Sequence, residues 1–301
     1  MDYNGADSLQ YVVIDLSGSE GVAPADAGTV GITVNAVNDA PVNVVPGPQT
    51  VNEDTALVFS SGNNNLIAVS DVDAGTNPVE VHLTARKGTL TLAGTAGLTF
   101  DKGNGTADSE MTFTGNITDI NAALNGMSFM PDLNYRGAAR VKIVTNDQGE
   151  IGSGCVKSDH DMVEITVNAI NDTPLNSVPS SQTVYVDDVL IFKTASGNRI
   201  SIFDVDAGRS EVQVTLTATN GALTLSRFHG LTFIDGDGRA DSTMTFSGKV
   251  KLVNAALNGL KFDPILSGSA GITIITNDLG ASGLGGPLAD EDTVNITVLN
   301  T

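Results

Sequence analysis

The chain has no tryptophan, one cysteine, three histidines and four tyrosines in 301 residues. Sugar-binding faces usually offer exposed aromatic platforms, and those are scarce here. Cys155 lies alone in a Gly/Ser segment, so no internal disulfide can form, and a lone cysteine is compatible with a bacterial exterior and with a cytosol alike. No His-Glu-x-x-His, Gly-x-Ser-x-Gly or Gly-x-x-x-x-Gly-Lys is present, so catalysis finds no motif to build on. A paired-carboxylate glycosidase site leaves no such signature, but a module repeated as a unit is a poor place for one, and no enzyme is expected. No apolar run approaches the ~18 residues of a membrane span. No basic stretch leads into an apolar one at the start, so no signal peptide is read, and the abrupt Met1-Asp2-Tyr3-Asn4-Gly5 suggests a segment cut from a longer chain. Basic residues are few as well: 15 against 35 acidic, a formal charge of −20. Nucleic acid backbones and anionic membrane surfaces are repelled by such a chain, so neither is expected as a partner.

The acids that are present are lopsided, 27 Asp to 8 Glu. Asp is the shorter carboxylate, favoured in turns, where it bonds nearby backbone or holds a hard cation. A turn-rich acidic β protein without metal explains the same bias. The 33 Gly, the many Thr and Val and the lack of helical-period stretches favour short strands joined by Gly/Asn/Asp turns. The length suggests about two domains.

Self-similarity decides the organisation. Asn35-Ala36-Val37-Asn38-Asp39-Ala40-Pro41 returns 133 residues later as Asn168-Ala169-Ile170-Asn171-Asp172-Thr173-Pro174. The same offset carries Asp71-Val72-Asp73-Ala74-Gly75 onto Asp204-Val205-Asp206-Ala207-Gly208, and Asn121-Ala122-Ala123-Leu124-Asn125-Gly126 onto Asn254-Ala255-Ala256-Leu257-Asn258-Gly259. After Pro131 and Pro264 the second copy is two residues shorter, and Thr145-Asn146-Asp147 then matches Thr276-Asn277-Asp278. Residues 1–37 fit the end of a preceding copy, 38–170 form a first complete repeat, and 171–301 form a second. Val79, Val81 and Leu83 alternate with polar residues, as do Val212, Val214 and Leu216. Further strands are read at Thr89–Leu92, Leu98–Phe100, Met111–Phe113, Met127–Met130, Ala139–Val144 and Met162–Val167. Seven or eight short strands per repeat predict an all-β protein of tandem Ig-like, Greek-key β-sandwich domains in an elongated array. One helical turn is read at Asp119–Gly126, capped by Asp119 or Thr118. His82 points away from the apolar face and has no counterpart in the second copy, where Gln213 replaces it, so it is expected to face solvent and not to serve as a ligand.

Five acidic stations recur. They are Asn38-Asp39 (Asn171-Asp172), Glu53-Asp54 (Asp187-Asp188), Asp71/Asp73 (Asp204/Asp206), Asn146-Asp147 (Asn277-Asp278) and Asp159/Asp161 (Asp290/Asp292). In extended chain, carboxylates two residues apart point the same way about 6.5–7 Å apart, a spacing that lets both grip one cation. Ca²⁺ takes about 6–8 oxygens in irregular geometry, which such residues supply. Clustered like charges repel unless a cation neutralises them. Asp235-Gly236-Asp237-Gly238-Arg239-Ala240-Asp241 resembles the opening of a Ca²⁺ loop, but a hairpin turn is the preferred reading, because Asp101–Asp108 in the first copy lacks the bidentate acid.

Taken together, Asn-Asp-Ala-Pro, Asn52-Glu53-Asp54-Thr55, Asp-Val-Asp-Ala-Gly, Met-Thr-Phe, Ile-Asn-Ala-Ala-Leu-Asn-Gly and Thr-Asn-Asp resemble the cadherin-like, Ig-like repeats of large bacterial surface adhesins. The resemblance covers nearly the whole chain. It implies a secreted, extracellular string of sandwiches stiffened by Ca²⁺ at the junctions, with roles in cell adhesion and biofilm. It implies one junction set of Asp147, Asn171, Asp172, Asp204 and Asp206, and an earlier one of Asp15, Asn38, Asp39, Asp71 and Asp73. The implied partners are neighbouring repeats, with surface glycans or identical arrays as the alternative binding readings.

Overall fold

The computed structural model describes residues 3–14, 25–149, 153–280 and 283–301. The chain divides into two compact units, residues 1–167 and 168–301. The first unit opens with a long hairpin, β1 (Gly5–Ile14) and β2 (Ala25–Val34), registered from Gly5 opposite Val34. Leu9, Tyr11, Val13, Val30 and Ile32 on this hairpin are exposed. The matching positions of the complete sandwich below are core.

That sandwich is built from β3 (Val42–Val44), β4 (Gln49–Asn52), β5 (Leu57–Phe59), β6 (Ala68–Ser70), β7 (Val79–Arg86), β8 (Gly88–Thr91), β9 (Thr99–Lys102), β10 (Glu110–Gly115), α1 (Ile117–Leu124), β11 (Met127–Pro131), β12 (Gly137–Asn146) and β13 (Ser158–Asn168). One sheet runs β4-β13-β12-β7-β10-β9; the other layer holds β5-β11-β8 and the pair β3-β6. The expected period-two strand is present: β7 buries Val79, Val81 and Leu83 and turns Glu80, His82 and Thr84 outward. Met111, Phe113, Val141, Ile143, Val163 and Ile165 come from the same sheet, and Phe59, Leu90, Met127 and Phe129 meet them from the other layer in one core. Each fully buried Phe contributes roughly 1.5–3 kcal/mol by removal from water. The extra strands beyond the expected seven or eight are three or four residues long, too short to show a period in sequence.

The second unit repeats this plan. Its six-stranded sheet runs Gln182–Tyr185, Ala289–Leu299, Gly268–Asn277, Glu211–Thr219, Thr243–Lys249 and Leu231–Asp235. The first pair of that sheet is parallel, Gln182 opposite Ile296 through Tyr185 opposite Leu299, whereas its other neighbours run antiparallel. Phe192, Phe246 and Phe262 are fully buried in its core.

Helix α1 lies where the sequence placed it, with Ile120, Ala123 and Leu124 facing the core. Its cap differs from the expectation. Asn116 is the capping residue, its Oδ1 accepting from the Asp119 N–H at 2.9 Å while its Nδ2 donates to the Asp119 carboxylate. Thr118 and Asp119 sit inside the first turn. In the second unit α2 (Val250–Leu257) follows Lys249, which gives no side-chain cap. His82 faces outward as expected, about one-third exposed, within hydrogen-bond distance of Thr112 (2.9 Å) and Thr84 (3.1 Å). No helix among the described residues is long and apolar enough to cross a membrane.

Candidate functional site

The acidic stations resolve into local carboxylate–backbone arrangements, nearly the same in each unit. In the first, buried Asn38 donates from Nδ2 to Asp147 Oδ2 at 2.6 Å and to the Cys155 carbonyl at 3.0 Å. The other oxygen of Asp147 accepts from the N–H groups of Gly149 and Lys157, both at 2.9 Å. In the second, buried Asn171 donates to Asp278 Oδ2 at 2.6 Å and to the Gly286 carbonyl at 3.2 Å, and Asp278 Oδ1 accepts from Gly280 and Leu288. These carboxylates are 7% and 5% exposed, so the N–H donors substitute for lost water. The turn beyond each is tight. Gln148 and Gly149 have φ of 59° and 68°, and Leu279 and Gly280 have φ of 61° and 64°, the doubly left-handed pattern of a type I′ turn.

Within each unit the strut is local: Asp147 closes on Asn38 in the first, and Asp278 on Asn171 in the second. Asp15, expected in the earlier set, lies outside the described residues.

The Asp-x-Asp pairs are turns, not extended chain. Asp71 Oδ1 accepts from the N–H groups of Asp73 (2.8 Å) and Ala74 (3.2 Å), and Asp204 Oδ1 does the same for Asp206 and Ala207 at 2.8 Å each. Capture of an N–H two residues on bends the backbone, so the two side chains no longer point alike. Asp73 Oδ2 then accepts from Asp39 N–H at 2.6 Å, and Asp206 Oδ2 from Asp172 N–H at 2.7 Å. Asp159 Oδ2 accepts from Asn43 N–H, and Asp290 Oδ2 from Asn176 N–H. Asp161 and Asp292 follow on the same strands, opposite Ile143 and Ile274. Burial, with the charge of Asp290 as a second cause, raises the pKa of Asp292 above the ordinary aspartate value.

The remaining station lies elsewhere. Asp54 accepts from the Asn134 N–H just before β12, and Asp187 accepts from the Thr301 hydroxyl beside the end of Ala289–Leu299. Glu53/Asp54 and Asp187/Asp188 therefore occupy the end of each sandwich opposite Asp147 and Asp278. Glu53 is buried, whereas Asp187 and Asp188 are exposed.

The loop Asp235–Asp241 takes the turn form. Asp241 Oδ2 accepts from the N–H groups of Asp237, Gly238 and Arg239, as Asp108 Oδ2 does from Asn104 and Gly105. The carboxylate fills the centre of the loop, where a cation would otherwise sit.

Among the described residues, no group of three or more His, Cys, Asp or Glu side chains is arranged to hold a metal ion. One atom points the other way. Asp204 Oδ2 is buried and has no hydrogen-bond partner, beside Asp206, which is 3% exposed. A buried carboxylate oxygen without a donor is costly. The oxygen donors present are of the type hard cations take, so the residues fit a cation that completes the shell of Asp204, not one enclosed by a preformed cage.

No protein family matches the sequence, and no curated protein matches it either. Similar solved structures exist. Mouse Cadherin-23 EC22-24 is 16% identical, with a TM-score of 0.31 over 87% of this chain and 67% of that one. The extracellular cadherin domains 1-4 of Protocadherin Gamma B7 are 16% identical, with a TM-score of 0.32 over 98% of this chain. This chain spans 57% of that structure's length. The C-terminal domain of the Streptococcus pyogenes antigen I/II-family protein AspA is 8% identical, with a TM-score of 0.27 over 86% of this chain and 99% of that one. These likenesses are weak, and the fold stands on the strand order described above.

The sequence flagged Asn38 and Asn171 with the acids, and the structure makes them buried struts; the other amides it left unassigned. Asn43 Oδ1 accepts from the buried Thr145 hydroxyl at 2.6 Å, as Asn176 Oδ1 does from Thr276. Asn121 exchanges two side-chain hydrogen bonds with the backbone of Val69, and Asn254 does so with Ile202. The signal available was that these Asn recur at the same offset as the Asp.

Proposed function

We propose that this chain is an extender segment of a bacterial cell-surface adhesin: an extracellular series of β-sandwich repeats that holds a distal binding region away from the cell. The observation that carries the reading is the precise repetition of one self-contained sandwich, with its Asn–Asp strut in the same place, without a linker of its own. Spacing needs many copies of one stable unit and little chemistry, and no catalytic step forms part of this reading. Ca²⁺ would be held at Asp204, beside Asp206, where it would complete the shell of the buried Asp204 Oδ2. Binding to the folded state alone stabilises by RT ln(1 + [L]/Kd), about 2.7 kcal/mol at a hundredfold excess over Kd.

The test is a thermal melt and a small-angle scattering profile in chelator and in Ca²⁺. Ca²⁺ is expected to raise the melting temperature, and Asp204→Asn to abolish most of that rise. A melt and a maximum dimension that ignore both chelator and the substitution would refute the Ca²⁺ part of the reading.

A further inference from the structure

Basic side chains are scarce, yet four of the 15 meet on one face of the first unit. Arg86, Lys87, Arg140 and Lys142 line an open groove of about 1000 Å³, and a second groove of about 360 Å³ shares Arg86, Lys87 and Arg140 and adds Tyr135. Arg86 and Arg140 stand directly opposite each other on β7 and β12, both exposed. Like charges in that position destabilise a sheet. None of the four forms an ion pair among the described residues, where the salt bridges are His82–Glu110 and Lys102–Glu110. Lys87 lies over the Tyr135 ring, 5.2 Å from its centre.

The repeat supplies its own control. In the second unit the same register places Thr219 opposite Gly271, and Thr217 opposite Thr273, which pairs in turn with Thr293. On its other side Arg140 faces Glu164, and Gly271 faces Asn295, so the second copy replaces both arginines and that glutamate together and the scaffold folds without the cluster.

We propose that this groove binds an acidic oligosaccharide through its sulfate or carboxylate groups. The guanidinium groups of Arg86 and Arg140 offer planar forks that match such oxyanions, and Tyr135 gives a sugar ring an apolar edge in the adjoining groove. Asp132, Asp161 and Glu164 nearby keep the local excess of positive charge small. The chain's charge of −20 works against long polyelectrolytes, so a short anionic stretch is read at close range, within a Debye length of about 8–10 Å. The inference does not depend on Ca²⁺ and is tested in chelator.

Isothermal titration calorimetry of the whole chain with short dextran sulfate and with oligogalacturonate separates the two oxyanions; neutral dextran and an oligoglutamate peptide are the comparisons. One of the acidic sugars is expected to bind, more weakly as salt rises, and neutral dextran is not. Arg86→Thr with Arg140→Gly, the residues of the second copy, should weaken binding about tenfold or more, whereas Lys102→Gln should leave it unchanged. Where the double variant fails to give a native melt, Arg86→Thr alone decides. The proposal is overturned if neither acidic sugar binds, if the arginine variants bind as the parent does, or if Lys102→Gln costs as much. Equal affinity for oligoglutamate would overturn the sugar assignment.

Discussion

Replacing Asn171 with alanine tests whether the Asn–Asp strut holds the sandwich together. The substitution removes an amide that is 6% exposed and donates to Asp278 at 2.6 Å and to Gly286 at 3.2 Å. A hydrogen bond to a charged group contributes about 1.5–3 kcal/mol and a neutral one about 0.5–1.5, so the expected loss is about 2–4.5 kcal/mol. For a unit of this size that corresponds to a fall of roughly 8–15 °C in Tm. Differential scanning calorimetry and urea denaturation of the full chain, in chelator, provide the measurement. Asn38→Ala, which cuts the bonds to Asp147 and Cys155, should act on the other unit by a similar amount. The double variant Asn171→Ala/Asp278→Ala separates the strut from general cavity effects, with an expected coupling of about 1–3 kcal/mol. Additivity within about 0.3–0.5 kcal/mol, or a single-variant loss below that, would refute the claim that the pair acts as one element.

Three further outcomes follow from other parts of the molecule. Leu279 holds φ at 61°, a strained value for a residue with a Cβ, so Leu279→Gly should stabilise the second unit by up to about 1 kcal/mol, seen as a higher urea midpoint at unchanged slope. Because the folded-state pKa of Asp292 is raised, the ionised carboxylate weakens the fold above that pKa; Asp292→Asn should therefore stabilise the chain at neutral pH, with the gain fading as pH falls to the unfolded aspartate range, as a melt series across pH will show. Phe246→Ala empties a fully buried site and should cost about 3–5 kcal/mol by urea denaturation, comparable to Phe113→Ala in the first unit.

The sequence disclosed most where a pattern ran long enough to show its period. β7 could be read because four outward and four inward residues alternate, and the helix because its apolar positions fall on one side. β3, β5 and β6, three residues each, have no period to read and exist because their neighbours offer hydrogen bonds. The acidic positions were legible as stations but not as partners, since Asn38 and Asp147 lie 109 residues apart and only the folded sheet brings them together. The extended geometry expected of Asp-x-Asp gave way for a local reason: the Asp71 carboxylate accepts from its own backbone two and three residues on, which bends the chain. The basic groove was invisible because Arg86 and Arg140 are 54 positions apart and meet only through the β7–β12 register.

The parallel pairing of Gln182–Tyr185 with Ile296–Leu299 has a consequence for load. One of these strands lies near the start of the unit and the other at its end, and they run in the same direction. A pull applied to the two ends would slide them past each other, so the hydrogen bonds between them would be strained together in shear. An antiparallel hairpin opened from its ends would instead lose its bonds one after another. A unit built this way should yield abruptly and at high force, with the parallel strip as the point where it gives.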